Sequence, residues 1–348
     1  MMEAVYKRYI LNFKQASGTS RGILRQKETW FIVLSQDERY GIGECGLLRG
    51  LSIDDRADYE EKLDWVCANI HLGKEELYRK LWAFPSIQMG LEMAFLSLYS
   101  EEVFRLFDNS FSRGDDFIPI NGLIWMGQPD FMLDQIKEKI GQGFRCVKMK
   151  IGAIAFDKEL EVLRFIRQHY SEDEITIRVD ANGAFGSDAL EKLKTLNQLK
   201  IHSIEQPLPK GNIEAMKELC LESPLPIALD EELIGLYRRE EKIELLEKID
   251  PSYIILKPSF IGGFTGAEEW ASLAKERGID SWVTSALESN IGLNAIAQWT
   301  YQKGFSGYQG LGTGSLFDNN FPSPLEIKKD YLTLNKQHTW TVSKETFL

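Results

Sequence analysis

The sequence predicts an α/β protein: a (β/α)8-type, TIM-like barrel preceded by an α+β capping unit that the C-terminal tail completes. Three observations predict it. From residue 117 onward short apolar runs alternate with amphipathic stretches, the pattern of parallel strand–helix–strand units. Eight such runs lie between residues 117 and 311, enough to close a barrel. One polar residue stands near the end of each middle run, at steps of about one strand–helix unit. A doubly wound sheet is the alternative architecture.

In chain order, residues 1–55 read as a meander of strands, AVYKRYILNF, TWFIVLSQ and RYGIGECG, with the turn-rich QASGTSRG between the first two. From residue 53 to about 111 the pattern turns helical, in DDRADYEEKLDWVCANI and in SIQMGLEMAFLSLYS. Barrel strands are expected at 117–126, 146–152, 176–182, 202–208, 226–232, 253–259, 281–287 and 307–311. Between them lie helical stretches such as FDKELEVLRFIRQHY, SDALEKLKTLNQL and GLNAIAQWTYQKG, each ending near a glycine or polar breaker. The residues from 319 are polar, with strand-like DYLTLN and HTWTV. The expected units are therefore 1–112 (cap), 113–318 (barrel) and 319–348 (a tail returning to the cap).

Composition narrows the function. A formal charge of -11 argues against a nucleic-acid binder, which needs a basic surface, and favours a small-molecule partner. The four cysteines, Cys45, Cys67, Cys146 and Cys220, form no C-x-x-C pair, so neither a zinc knuckle nor a disulfide framework is suggested. No window approaches 18 consecutive apolar residues, and the start lacks a signal-peptide core. A soluble, cytoplasmic protein without membrane contact is expected; the sequence leaves monomer or homo-oligomer undetermined.

The chemistry is concentrated at strand ends. In CVKMKIG the alternation of an extended strand turns Lys148 and Lys150 to one side and Val147, Met149 and Ile151 to the other. After Lys150 come Asp180, Glu205, Asp230, Lys257 and Ser285, at steps of 30, 25, 25, 27 and 28 residues. The C-terminal ends of barrel strands share one mouth, so these side chains should face one another. Three carboxylates with no histidine or cysteine beside them are hard oxygen ligands suited to Mg2+. Lysines on either side of such a cation would place a base on each side of the α-carbon of a carboxylate substrate. In this reading Lys150 moves the proton and Lys148, a neighbouring ammonium, tunes it. Asn182 and Glu232, each two residues beyond an acid, are candidates to support the cation site from behind, or else cap the surface. GLGTGSL (310–316) lacks the lysine of a phosphate-binding loop and reads as a turn that lets substrate approach backbone, at Gly312.

As an ordered set, KMK, DAN, EQP, LDE, LKP and SALESNIG resemble the enolase superfamily in its muconate-lactonising branch, over almost the whole chain. The resemblance implies that Asp180, Glu205 and Asp230 bind Mg2+, that Lys150 is the acid/base, and that Lys257 sits on the opposite face. It is greatest to members that dehydrate a succinyl-substituted hydroxycyclohexadiene carboxylate in menaquinone biosynthesis. It further implies that GTSRG, with Ser20 and Arg21, and GECGLLRGLS, with Arg49, close over the substrate, and that Ser285 touches it. Racemases and epimerases of the same branch use the same lysine pair and stay open, although GLGTGSLFDNN lacks the D-x-D motif of dipeptide epimerases. A non-catalytic metal-binding barrel and a Schiff-base enzyme using Lys257 are the alternatives of other classes.

Overall fold

The computed structural model describes residues 1–19 and 22–348 of the 348-residue chain. Ser20 and Arg21, two of the expected substrate contacts, lie outside the described residues.

Strands β1 (Glu3–Thr19), β2 (Gly22–Gln36) and β3 (Arg39–Cys45) form the expected antiparallel meander. The centre of β2, WFIVL, is buried on both faces. Trp30, Ile32 and Leu34 pack against Leu63, Leu77 and Leu91 of helices α1 (Tyr59–Ala68), α2 (Lys74–Lys80) and α3 (Pro85–Tyr99). Phe31 and Val33 join a second core that continues through Met89 and Met93 to Ile118 and Leu256. Gly41 and Gly43 explain how α3 crosses β3 so closely. A Cβ at Gly41 would stand 2.1 Å from Ala94 O, and one at Gly43 would stand 1.8 Å from Gly90 O, so only hydrogen fits.

The chain then enters β4 (Phe117–Pro119), β5 (Gly122–Ile124), β6 (Cys146–Lys150), β7 (Thr176–Asp180), β8 (Ser203–Glu205), β9 (Ile227–Leu229), β10 (Tyr253–Leu256) and β11 (Asp280–Val283). Strands β5 to β11 pair in parallel in consecutive order, with helices between them. The ring closes through two residues: Gln309 bridges Ile120 and Gly310 bridges Thr284, both in parallel. The strand expected at 307–311 is thus reduced to a bridge. The strand expected at 117–126 is divided, because residues 117–119 pair antiparallel with β13 (Tyr331–Leu334) and only 122–124 enter the barrel. β12 (Leu325–Lys328) completes that small outer sheet. At its end the tail reaches β2, where the Phe347 ring lies 4.6 Å from Phe31. We propose 1–112, 113–318 and 319–348 as units of sequence rather than of packing, since the second core runs across them.

Two buried glutamates fasten cap to barrel. Glu44, fully buried on β3, accepts hydrogen bonds from Ser289 N (3.0 Å), Ser289 Oγ (2.5 Å) and Gly292 N (2.9 Å), the first turn of the helix Asn290–Gln302. Glu92, on α3, accepts from Phe264 N (2.5 Å), Thr265 N (3.2 Å) and Thr265 Oγ1, the first turn of Gly263–Lys275. A carboxylate satisfies the unpaired N–H groups of a helix start and complements its dipole. Here the caps come from a different part of the chain. Among the described residues no helix is long and apolar enough to cross a membrane.

Burial pushes the carboxyls of Glu92 and Asp54 up to about 7 despite their hydrogen bonds. Both folded-state values exceed the unfolded ones, so between about pH 4 and 7 the folded state binds protons more tightly. Stability from these groups therefore falls as pH rises through that window and is flat above it. Relative to Glu92→Gln, the wild-type unfolding midpoint should drop between pH 5 and pH 8. A constant difference would contradict the assignment of Glu92.

Candidate active site

The inner wall of the barrel follows from strand alternation and register. Val147, Met149, Ile177 and Val179 face outward into the apolar layer, which turns Lys148, Lys150, Arg178 and Asp180 inward. Register sets Lys150 beside Asp180 and Asp180 beside Glu205. Deeper in the barrel the Arg178 guanidinium stacks on the Trp282 ring at 4.0 Å and donates to Tyr308 O at 2.8 Å, plugging the floor. His202 lies on that deeper side, its ring tilted against that of Tyr253 with centroids 5.5 Å apart.

At the mouth the expected residues converge. Asp180, Glu205 and Asp230 are 1–2% exposed. Lys148 Nζ is 3.0 Å from Asp180 Oδ2 and 2.5 Å from Glu205 Oε2. Lys257 Nζ pairs with Asp230 and stands 3.8 Å from Glu205 Oε1. Lys150 Nζ donates to Asp180 Oδ2 at 3.0 Å and to Asn182 Oδ1 at 2.7 Å. Ammonium groups thus alternate with carboxylates along the row. Burial alone would raise the Asp180 carboxyl, but Lys148, Lys150 and Lys257 outweigh it and hold it well below the carboxylate range. Burial and the neighbouring Asp180 push Glu205 up to about 7, and burial raises Asp230. Burial would lower Lys148 and Lys257; their acid partners reverse this and hold both protonated.

The donor set suits a small divalent cation: three buried carboxylates on adjacent strands, two of whose oxygens, Glu205 Oε1 and Oε2, accept no well-formed hydrogen bond among the described residues. Lysine ammoniums lie between the acids. Among the described residues no three His, Cys, Asp or Glu groups converge closely enough to hold a metal ion.

Other expected contacts fare differently. Ser285 and Gly312 line the same cavity, about 130 Å3 in volume, and Ser285 Oγ hydrogen-bonds Thr313 Oγ1 at 2.6 Å. Arg49 also reaches it, with its guanidinium paired to Glu28 and Asp55, each at 2.6 Å. Asn182 does sit behind Lys150 and donates to Glu231 Oε1 at 3.2 Å. Glu232 turns away and accepts from Gly211 N at 3.0 Å. It reaches the row only through Gln206, whose amide also accepts from Asp230 N at 3.2 Å. Glu231 is the glutamate at the mouth, and sequence reasoning missed it. In LDEE the turn Glu231–Leu233 decides which of the two glutamates enters the cavity, and no periodicity reveals that. Leu24, Leu48 and Leu51 from the cap, with Trp125 and Phe260 from the barrel, supply apolar walls. A cleft of about 660 Å3 adjoins the cavity past Asn121 and Trp125.

A family model described as enolase C-terminal domain-like matches residues 132–338. The chain is 45% identical to the o-succinylbenzoate synthase of Desulfotalea psychrophila, over 94% of this chain and 97% of that one. It superposes on the crystal structure of MenC from the same organism with a TM-score of 0.85 at 42% identity, covering 96% of this chain and 99% of that one. It is 29% identical to the N-succinylamino acid racemase of Thermus thermophilus over 60% of its own length and 54% of that relative's.

Proposed function

The chain belongs to the enolase superfamily, in its muconate-lactonising branch, and from that premise we propose that it is a lyase, an o-succinylbenzoate synthase. It would dehydrate 2-succinyl-6-hydroxy-2,4-cyclohexadiene-1-carboxylate to 2-succinylbenzoate. The observation that carries the reading is the row of three buried carboxylates flanked by Lys148 and Lys150 on one side and Lys257 on the other. The 45% identity over 94% of the chain to a named synthase supports this reaction over the alternatives.

Asp180, Glu205 and Asp230 would hold Mg2+, which when bound supplies positive charge for the substrate carboxylate and for the negative charge that develops on it. Lys150 Nζ takes the proton from the carbon bearing the carboxylate, and the C–H electron pair moves into the carboxyl group. As that pair returns to form the ring double bond, the C–O bond to the hydroxyl breaks. Lys150 then gives its proton to the departing oxygen, so water leaves and no other reactant is needed. Lys257, on the opposite face, stabilises the intermediate charge as an ammonium, the form that its acid neighbours, Asp230 first, favour. Leu24, Leu48 and Leu51 exclude water from above.

Purified protein given the diene and Mg2+ should produce 2-succinylbenzoate, and excess chelator should abolish turnover. Full activity in chelator would remove the metal assignment. Turnover of N-succinylamino acids alone, with none of the diene, would replace this reading by the racemase alternative.

A further inference from the structure

Besides carboxylate oxygens, two buried oxygens on the inner wall of the barrel, Asn121 Oδ1 and Thr284 Oγ1, have no hydrogen-bond partner among the described residues. Asn121 is only 4% exposed, and both side chains line the cavity that holds the lysines. Folded proteins rarely leave such groups unpaired, so each needs a reason. Other polar groups of the same cavity are already engaged, Ser285 with Thr313 and Asn182 with Lys150 and Glu231.

Their position in the ring supplies the reason. Asn121 N donates to Gln309 O at 3.0 Å, and Thr284 bridges Gly310, so the pair flanks the closing segment on its two sides. A Cβ at Gly310 would stand 2.6 Å from Thr284 Oγ1; glycine keeps that stretch of wall open. Counting the closing bridge as the eighth position after β5 to β11, the position opposite it is β8, which carries Glu205. A substrate whose carboxylate is drawn to the acid row therefore presents its far side to Asn121 and Thr284.

We propose that Asn121 and Thr284 together bind a neutral oxygen of the substrate, a hydroxyl or a ketone, on the side away from the reacting carboxylate. A carboxamide and a hydroxyl each donate and accept, and neither carries charge, so the subsite suits a neutral oxygen better than a second carboxylate. The substrate class is taken from the dehydration proposed above. That substrate carries both a ring hydroxyl and a succinyl ketone, and its product keeps only the ketone.

The test uses Asn121→Leu and Thr284→Val in the full-length protein with Mg2+, measuring KM and kcat for the diene, titration with 2-succinylbenzoate, and the thermal midpoint. KM should rise about tenfold or more, with a smaller change in kcat. The midpoint should stay or rise, because an unpaired buried polar group has been replaced by an apolar one of similar shape. Product affinity weakened in parallel identifies the ketone as the bound oxygen; product affinity unchanged identifies the hydroxyl. KM and product affinity both within twofold of wild type overturn the inference, and so does a lowered midpoint, which marks a purely structural role. Wild-type protein that neither turns over the diene nor binds 2-succinylbenzoate overturns the dehydration reading, and this inference with it. Wild-type turnover with unaffected variants overturns the inference alone.

Discussion

Lys150→Ala should lower kcat by roughly a thousandfold or more, the scale of losing a positioned acid and base together, while leaving the unfolding midpoint nearly unchanged. The structure separates these two outcomes. Among the described residues Lys150 Nζ bonds Asp180 and Asn182, and Asp180 keeps Lys148 at 3.0 Å after the truncation. No buried charge is left alone. Lys257→Ala should behave differently: it strips Asp230 of its paired ammonium and leaves a carboxylate buried without compensation, a situation that costs about 3–5 kcal/mol. Paired measurements of kcat and urea midpoint on the two variants distinguish a lysine needed for chemistry from one also needed for the fold. A Lys150→Ala protein with a tenth or more of wild-type activity would remove Lys150 from the mechanism.

The largest stability loss outside the acid row is expected at Glu44. Glu44→Ala would leave Ser289 N and Gly292 N buried without acceptors and would free the Thr29 hydroxyl from its side-chain partner. Buried donors without partners cost about 1–3 kcal/mol each, so a loss of about 3–5 kcal/mol is expected. Glu44→Gln keeps one acceptor oxygen and should recover part of it. The readout is the midpoint and slope of urea unfolding. A loss below about 1 kcal/mol would mean that the apolar core alone holds the cap in place.

Much of this architecture is legible in the sequence because strand alternation and the strand–helix repeat are periodic. Lys148, Lys150, Asp180, Glu205, Asp230 and Lys257 follow that period and meet in one row at the barrel mouth. What periodicity does not encode is the geometry of single turns and of closure. That Glu231 lines the cavity while Glu232 lies behind Gln206 is a matter of one short turn. The division of 117–126 depends on β13 arriving from more than 200 residues away, and the eighth strand shrinks to a bridge between Gln309 and Gly310. Asn121 was invisible for another reason: an asparagine in FIPINGLIWM reads as a turn residue until its missing partners are seen.

The two glutamates that reach from cap to barrel bear on how such proteins can be recombined. A chimera carrying another relative's cap would inherit that cap's lining of the cavity, but it would lose the stability of these contacts unless it also brought acids matching the helix starts at Ser289 and Phe264. The smallest exchangeable piece includes β3, α3 and the first turns of the two helices that they grip.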